Sequence, residues 1–334
     1  QMGRNSLERG SGDNWTLHPK RMESLMAVVD ADTSIKKGPD LPGALAGYIS
    51  AGIPTEYYEQ LHKPEERDPR GYVLPSDQSD FPTATKFVNT LIKNGVTVLR
   101  ATDAFEVDGT RYPSGSYVVK NAQAFRPHIL DMFEPQAHPD NFEYDGAPPT
   151  PPYDNAGWTL AFQMGVEFDR ILDGFDGPFE KLEDPIKPPE GKLTSSKAAG
   201  YCLDPGVNDA FIAVNRLLKS GEKVIRLQDS LSTGKASIPA GAFYIPAKTS
   251  TIPRLQSLAR EIGLTFQAVD TPPRGDAAPI KPVRIGLWDQ YGGNSASGWV
   301  RWLLEQFEFD FNLVFAPELD AGNLSAKYDV IIFV

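Results

Sequence analysis

The residue pattern nearest to a hydrolytic metal site is His62-Lys-Pro-Glu65, a His-x-x-Glu spacing. Catalytic zinc takes three protein ligands of this kind and keeps its fourth position for water. Here Pro64 lies inside the pair and Glu65, Glu66, Arg67 and Asp68 crowd its flank, so the pattern reads as a solvated loop. His128 follows Arg126-Pro at an expected helix start, and His138 lies in a loop at Ala137-His-Pro139; both read as local backbone partners. His18 completes the set of four histidines. Cys202 is the single cysteine, so no internal disulfide framework exists, and its place at a strand start reads as a small buried hydrophobe. No catalytic, metal-ligating or cofactor-binding set is read in the chain.

The nearest thing to an anion cradle is Tyr291-Gly-Gly-Asn-Ser-Ala-Ser-Gly298, between an expected strand and an expected helix. Backbone N–H groups at a helix start hold anions well, which makes Gly292, Gly293 and Asn294 the candidate binding residues. The competing reading is a strand-to-helix turn that needs small residues. No Gly-x-Ser-x-Gly elbow, no Gly-Lys-Ser/Thr phosphate loop and no Gly-x-Gly-x-x-Gly fingerprint occurs. Asp173-Gly-Phe-Asp-Gly177 lacks calcium-loop spacing. Asn14-Trp-Thr16 and Asn323-Leu-Ser325 are glycosylation-type triplets, and tryptophans 15, 158, 288, 299 and 302 read as packing residues.

The elements that would position these residues come from an internal repeat. Asn89 and Asn215, Gly95 and Gly221, Arg100 and Arg226, Pro113 and Pro239, Gly115 and Gly241, and Pro127 and Pro253 all match at one separation, 126 residues. In each copy a short strand (Tyr72-Val-Leu74; Tyr201-Cys-Leu203) leads into a helix. The N-caps are Ser79 or Asp80, and Asn208 or Asp209. Ala84, Phe87, Val88, Leu91 and Ile92 share one helix face; Ala210, Ala213, Val214, Leu217 and Leu218 share the other. Gly95 and Gly221 fit the C′ position, where φ is positive. Strands at Val96–Leu99 and Lys223–Arg226 follow, then a Pro-x-Gly turn, an aromatic-rich strand and a closing helix. Strand–helix–strand units favour parallel pairing, so the expected class is α/β with mostly parallel sheets. A third unit starts at Val283, with a helix near Ser297–Phe307 and a strand at Asn312–Phe315. Tyr328-Asp-Val-Ile-Ile-Phe-Val334 reads as a buried parallel strand. The expected divisions are a helical segment over 1–70, copy one over 71–136, a proline-rich connector over 137–197 with a short helix in Trp158–Val166, copy two over 198–278, and the start of a further α/β domain over 283–334.

Composition narrows the partners. The 334 residues carry a net charge of −11, which argues against nucleic acid, since phosphate binding needs clustered Lys and Arg. No apolar run reaches membrane-span length. Because a buried parallel strand needs cover on both faces, the chain reads as an internal piece of a longer protein.

Three long segments carry a resemblance. Met2 to Arg21 resembles the stretch after the catalytic domain in large bacterial zinc carboxypeptidases, relatives of pancreatic carboxypeptidase A. Leu130–Gln136 and Pro151–Gly165 resemble their middle region. Arg284-Ile-Gly-Leu-Trp-Asp-Gln-Tyr-Gly-Gly293, with Ser297–Glu305, resembles the opening of their C-terminal domain, which is similar in fold to class I glutamine amidotransferases. The resemblance implies an exported, periplasmic or extracellular parent whose zinc ligands and catalytic glutamate lie upstream of Met2, and whose substrate is a peptide. It implies as partners the N-terminal peptidase domain and the C-terminal remainder, with zinc in the parent and none in this chain. It places no catalytic residue here. The alternatives are a structural or interaction module without enzymatic activity, and a small-molecule-binding α/β domain using the Gly292-Gly293 turn.

Overall fold

A computed structural model describes residues 1–32, 54–135, 141–151, 157–232, 237–273 and 277–334. The chain divides into two compact units, Gln1–Ile186 and Lys187–Val334. His138 lies outside the described residues. The class is mixed α/β, with helices and both parallel and antiparallel sheets.

Unit one opens with helices Met2–Ser11, Pro19–Ala31 and Thr55–Glu59. Leu25 and Val29, one helical turn apart, bury against Tyr57 and Leu61. Repeat one follows. Its strands are β1 (Gly71–Leu74), β2 (Leu99–Ala101), the hairpin pair β3 (Phe105–Val107) and β4 (Thr110–Tyr112), β5 (Tyr117–Lys120), β6 (Asp169–Ile171) and β7 (Phe179–Lys181). Helix Phe81–Lys93 joins β1 to β2, and helix Arg126–Phe133 follows β5. The sheet order is β6-β1-β5-β2-β7.

Repeat two, in the second unit, repeats this plan. It has β8 (Gly200–Leu203), helix Ala210–Lys219, β9 (Ile225–Leu227), the pair β10 (Leu231–Ser232) and β11 (Ser237–Ile238), and β12 (Phe243–Pro246). Helix Thr251–Ile262, β13 (Gln267–Val269) and β14 (Ala277–Pro279) complete it. The order β13-β8-β12-β9-β14 is that of repeat one, strand for strand.

The expected parallel pairing does not hold in these two sheets. β1 and β2 do run the same way, but β5 lies between them and pairs antiparallel with both. The cause is local. The hairpin returns the chain through the tight turn Pro113–Ser116, tied by Ser116 N–H to Pro113 C=O and Gly115 N–H to Ala101 C=O, and β5 drops into the gap the helical crossover left open. β6 and β7, the two edges of the first sheet, come from the segment expected to be a connector; Ala161, Val166 and Leu182 from that segment are buried in the repeat-one core.

Both faces of each sheet are covered, which explains why four consecutive residues of β1 and of β8 are buried. Tyr72 and Leu74 face the helices with Phe87, Leu91 and Phe133. Val73 faces the hairpin with Phe105, Val107 and Tyr112. In repeat two Tyr201 and Leu203 take the helix side and Cys202 the hairpin side. Cys202 therefore stands where repeat one has Val73, and burial pushes its thiol up to about 12.

The helix ends behave as their sequences indicate. Asp80 accepts from Thr83 N–H at 3.1 Å, and Asp209 holds the same position in repeat two. Gly95 (φ +87°) and Gly221 (φ +78°) close the helices. In each, the residue after glycine bonds back five positions: Val96 N–H to Leu91 C=O and Glu222 N–H to Leu217 C=O. The first helix has 13 residues and the second 10. Three residues are most of one turn, so the second helix is shortened while its buried face stays in phase.

The last three strands form the parallel sheet that the sequence leads one to expect. β15 (Ile285–Trp288) is central, with β16 (Phe311–Val314) and β17 (Val330–Ile332) on either side, both parallel to it. Helix Ser295–Gln306 connects β15 to β16 and covers Ile285 and Leu287 with Val300 and Leu304. β17 is parallel, as expected, but not buried: Val330 is exposed and Ile331 and Ile332 half-buried, because it is the edge strand among the described residues.

Asp68 is one of several ties between the N-terminal segment and repeat one; Asp13, paired with Arg67 and Arg70, is another. Asp68 accepts from Asn14 Nδ2 (2.6 Å), Thr16 N–H (3.0 Å), Thr16 Oγ1 (2.8 Å) and the Arg126 guanidinium. The Asp68 and Arg126 side chains are 12% and 5% exposed, so this pair is shielded from water. Gly10 lies so close to the Asn121 carbonyl that a Cβ there would sit 2.2 Å from its oxygen.

Candidate binding site at the end of the parallel sheet

In an open parallel sheet, ligands collect beyond the carboxyl ends of the strands, where the connections diverge to opposite sides. The order β16-β15-β17 puts that divergence at the end of β15, and the segment that leaves it is Asp289–Asn294. The sequence candidates Gly292, Gly293 and Asn294 therefore sit at the expected location.

The local geometry is that of a closed turn. Gly293 N–H donates to Gln290 C=O (3.0 Å), and Gln290 Nε2 donates back to Gly293 C=O (3.1 Å). Gly292 and Gly293 have φ of +89° and +88°, and a Cβ on either would touch nothing within 4 Å. Glycine is required there by dihedral angle, not by crowding. Asn294 caps the helix, its Oδ1 accepting from Ala296 N–H at 2.9 Å. The buried Ser297 donates from Oγ to Trp288 C=O at 3.2 Å. Two donors an anion would use, Gly293 N–H and Ala296 N–H, are already engaged. The Asp289 carboxylate, which accepts from Gln290 N–H at 2.9 Å, adds a negative charge beside them. Chemically the arrangement favours a self-completed turn and cap over an anion cradle.

The other sequence candidates are dispersed. His62 Nδ1 contacts Tyr58 C=O at 2.9 Å, and its ring stands edge-on to Trp15 at 5.1 Å. Glu65 is exposed in the next short helix. His128 Nε2 meets Asn94 Nδ2 at 3.2 Å. No group of three His, Cys, Asp or Glu positioned for a metal occurs among the described residues. His62 meets backbone through Nδ1 only, and among the described residues no two further ligands are grouped with it. Asp173 pairs with Arg67 and Asp176 with Lys120, whose ammonium holds the Asp176 carboxyl below its usual range. Asn14 of the first glycosylation-type triplet gives its amide to Asp68.

Two tryptophans depart from the packing role expected of them. Trp299 and Trp302 are 70% and 52% exposed and meet each other edge-on at 6.2 Å on the outer face of helix Ser295–Gln306. That helix turns Ser297, Val300 and Leu304 inward, which leaves positions 299 and 302 outward.

One polar cluster was not signalled by the sequence. Arg216, on the repeat-two helix, forms a bidentate pair with Glu308 (2.8 to 3.1 Å) and a second pair with Glu261 (3.0 Å). Lys219 donates to Glu308 C=O (3.0 Å) and Asp310 (2.8 Å), and Asn215 Nδ2 to Phe307 C=O (2.8 Å). Phe307, Glu308 and Asp310 lie 89 to 92 positions from their partners and Glu261 lies 45 from Arg216, beyond any local pattern.

No family model, no curated protein and no solved structure matches the chain. No described helix is long and apolar enough to cross a membrane.

Proposed function

We propose that the chain is a non-catalytic accessory region of an exported zinc-dependent carboxypeptidase of the large multidomain type, acting beside a peptidase domain that lies upstream of Met2. The proposal starts from the resemblance of Met2–Arg21, Leu130–Gln136, Pro151–Gly165 and Arg284–Glu305 to that architecture. The observation that carries it is the Asp68 anchor. The very stretch that resembles the post-catalytic segment is bonded to repeat one through Asn14, Thr16 and Arg126. A peptidase domain attached ahead of it would be held by a rigid support. In the parent, the zinc would act from the peptidase domain, and peptide would be the substrate; no residue here is assigned a step.

The test is the intact protein in its source, captured with an antibody against this chain. A product that extends upstream, carries about one zinc per chain and releases C-terminal residues from peptides supports the reading. A product no larger than this chain and free of zinc overturns it. The alternative, a structural or interaction module without enzymatic activity, is favoured by the exposed Trp299 and Trp302, since aromatic side chains of this kind concentrate in interface hot spots. It would be supported by the second outcome.

A further inference from the structure

Three helices in this chain end in the same way, and one of them breaks the rule for its terminal residue. After Phe81–Lys93 and Ala210–Lys219, glycine occupies the left-handed position. After Ser295–Gln306, Glu308 does, at φ +58°. Its hydrogen bonds are the same: Glu308 N–H to Glu305 C=O at 3.1 Å and Phe309 N–H to Leu304 C=O at 2.9 Å. A side chain in this conformation costs energy that glycine avoids. Strain of this kind persists where the side chain has other work. Here the side chain is the carboxylate that Arg216 grips with both arms of its guanidinium, a geometry with strong directional preference.

The surroundings are just as specific. The apolar core of repeat two gathers around Tyr201, Leu217 and Phe243, and that of the parallel sheet around Leu287 and Leu304. The covalent link between them is Lys281–Val283, three exposed residues between β14 and Arg284, which bonds to Asp329 within the module. Against this link stand the contacts of Asn215, Arg216 and Lys219 with residues 307–310. Polar contacts between two bodies are compatible with relative motion.

We infer that the parallel-sheet module Arg284–Val334 is a hinged body, turning about Lys281–Val283 and latched to repeat two by Arg216 and Lys219 through Glu308 and Asp310. Glu308 stands in a glycine position because the latch needs its carboxylate. The charged groups at the latch are Arg216, Lys219, Glu261, Glu308 and Asp310, and opening it separates the first two from the last two while Glu261 stays with Ser257 on its own helix.

The experiment is a distance measurement between spin labels on two exposed positions, Lys223→Cys on repeat two and Ala321→Cys on the module. Cys202 is buried and stays unlabelled. With the latch intact, one narrow distance distribution is expected. Glu308→Gly should broaden or shift it while leaving the melting midpoint unchanged or higher, because glycine relieves the backbone at that position. Arg216→Ala/Lys219→Ala should give the same broadening from the other side, and Glu308→Gln/Asp310→Asn should do so with shape preserved. A distribution that stays narrow in the folded Glu308→Gly and Glu308→Gln/Asp310→Asn proteins overturns the latch. So does a Glu308→Gly protein that melts lower, which would assign Glu308 to plain support of the module.

Discussion

Asn89 and Asn215 occupy the same turn of the same helix in the two repeats, and each gives its side-chain amide to a backbone group that follows its repeat. Asn89 holds both polar groups of Ile186, donating from Nδ2 to the C=O at 2.7 Å and accepting from the N–H at 2.8 Å. Asn215 donates to Phe307 C=O alone, at 2.8 Å. The duplication thus carries a docking device along with the fold.

The difference in bond count sets the expected costs. Asn89→Ala leaves both Ile186 groups without this partner and should cost about 1–3 kcal/mol. Asn215→Ala removes one bond and should cost about 0.5–1.5 kcal/mol. Urea unfolding followed by circular dichroism measures both; equal losses would mean that Asn89 does not clip the chain as described.

Gly95 and Gly221 test the helix ends. Each adopts positive φ, so alanine at either should cost about 1 kcal/mol. Gly95→Ala should cost somewhat more, since its new Cβ would meet the Phe125 ring at 3.0 Å while the Gly221 position is open. A drop in melting midpoint of about 2–4 °C is expected for each. No drop in either would remove the positive-φ argument.

Much of this architecture is readable from residues close together in sequence. The apolar spacing of Phe87, Val88 and Leu91 marks a helix face, and the Gly95 and Gly221 positions mark its end. The Pro-x-Gly turns mark the strand after them. What the sequence hides is pairing. Nothing local in Tyr117–Lys120 says that this strand enters between β1 and β2, since that depends on the gap a helical crossover leaves. Asp169–Ile171 and Phe179–Lys181 are three-residue edge strands with one buried side chain between them, too short for any periodicity to show. Cys202 was legible as a buried hydrophobe because it is a lone cysteine at a strand start, and it is buried. The Asp68 anchor and the Arg216–Glu308 pair were not, because each joins residues more than 50 positions apart and Glu308 stands where glycine would be the signal.

The Asp68–Arg126 pair should show the asymmetry of shielded charges. Removing one partner leaves the other uncompensated, so Asp68→Ala should cost about 3–5 kcal/mol. Replacing both by apolar residues of similar volume should cost far less. Asp68→Ala should also loosen the N-terminal segment, which Asp13 still ties to Arg67 and Arg70, and speed trypsin cleavage at Arg4 and Arg9. A double replacement as damaging as the single one would show that the hydrogen bonds to Asn14 and Thr16, and not the buried charge, set the cost.

Asp329 gives a pH prediction with a definite sign. Hydrogen bonds from the Arg284 guanidinium, with one from the Arg284 N–H, hold its carboxyl down to about 2. A depressed carboxyl contributes stability that is fully present above its unfolded value, about 4, and is lost as pH falls from there toward 2. The pair joins the start of β15 to the start of β17, so acid should loosen β17 first. Carboxyl carbon NMR on Asp329 should show the depressed titration in the wild type and a return toward about 4 in Arg284→Ala. An unshifted titration in the wild type would dissolve the argument.

The turn after β15 separates two readings of Gly292, Gly293 and Asn294. If Asn294 is a helix cap, Asn294→Ala should cost about 1 kcal/mol, since Ala296 N–H loses its partner. If the turn were an anion cradle, millimolar phosphate or sulfate would bind the folded state and raise the melting midpoint by linkage. The observed bonds favour the first outcome, because Gly293 N–H and Ala296 N–H are taken and Asp289 stands beside them. Phosphate should therefore leave the midpoint of the wild type unchanged. Asp289→Asn removes the repelling charge, and even so the cap should keep Ala296 N–H engaged. A phosphate-dependent rise in the wild type that Asn294→Ala strengthens, by releasing that donor, would reverse the assignment and make the turn a binding site.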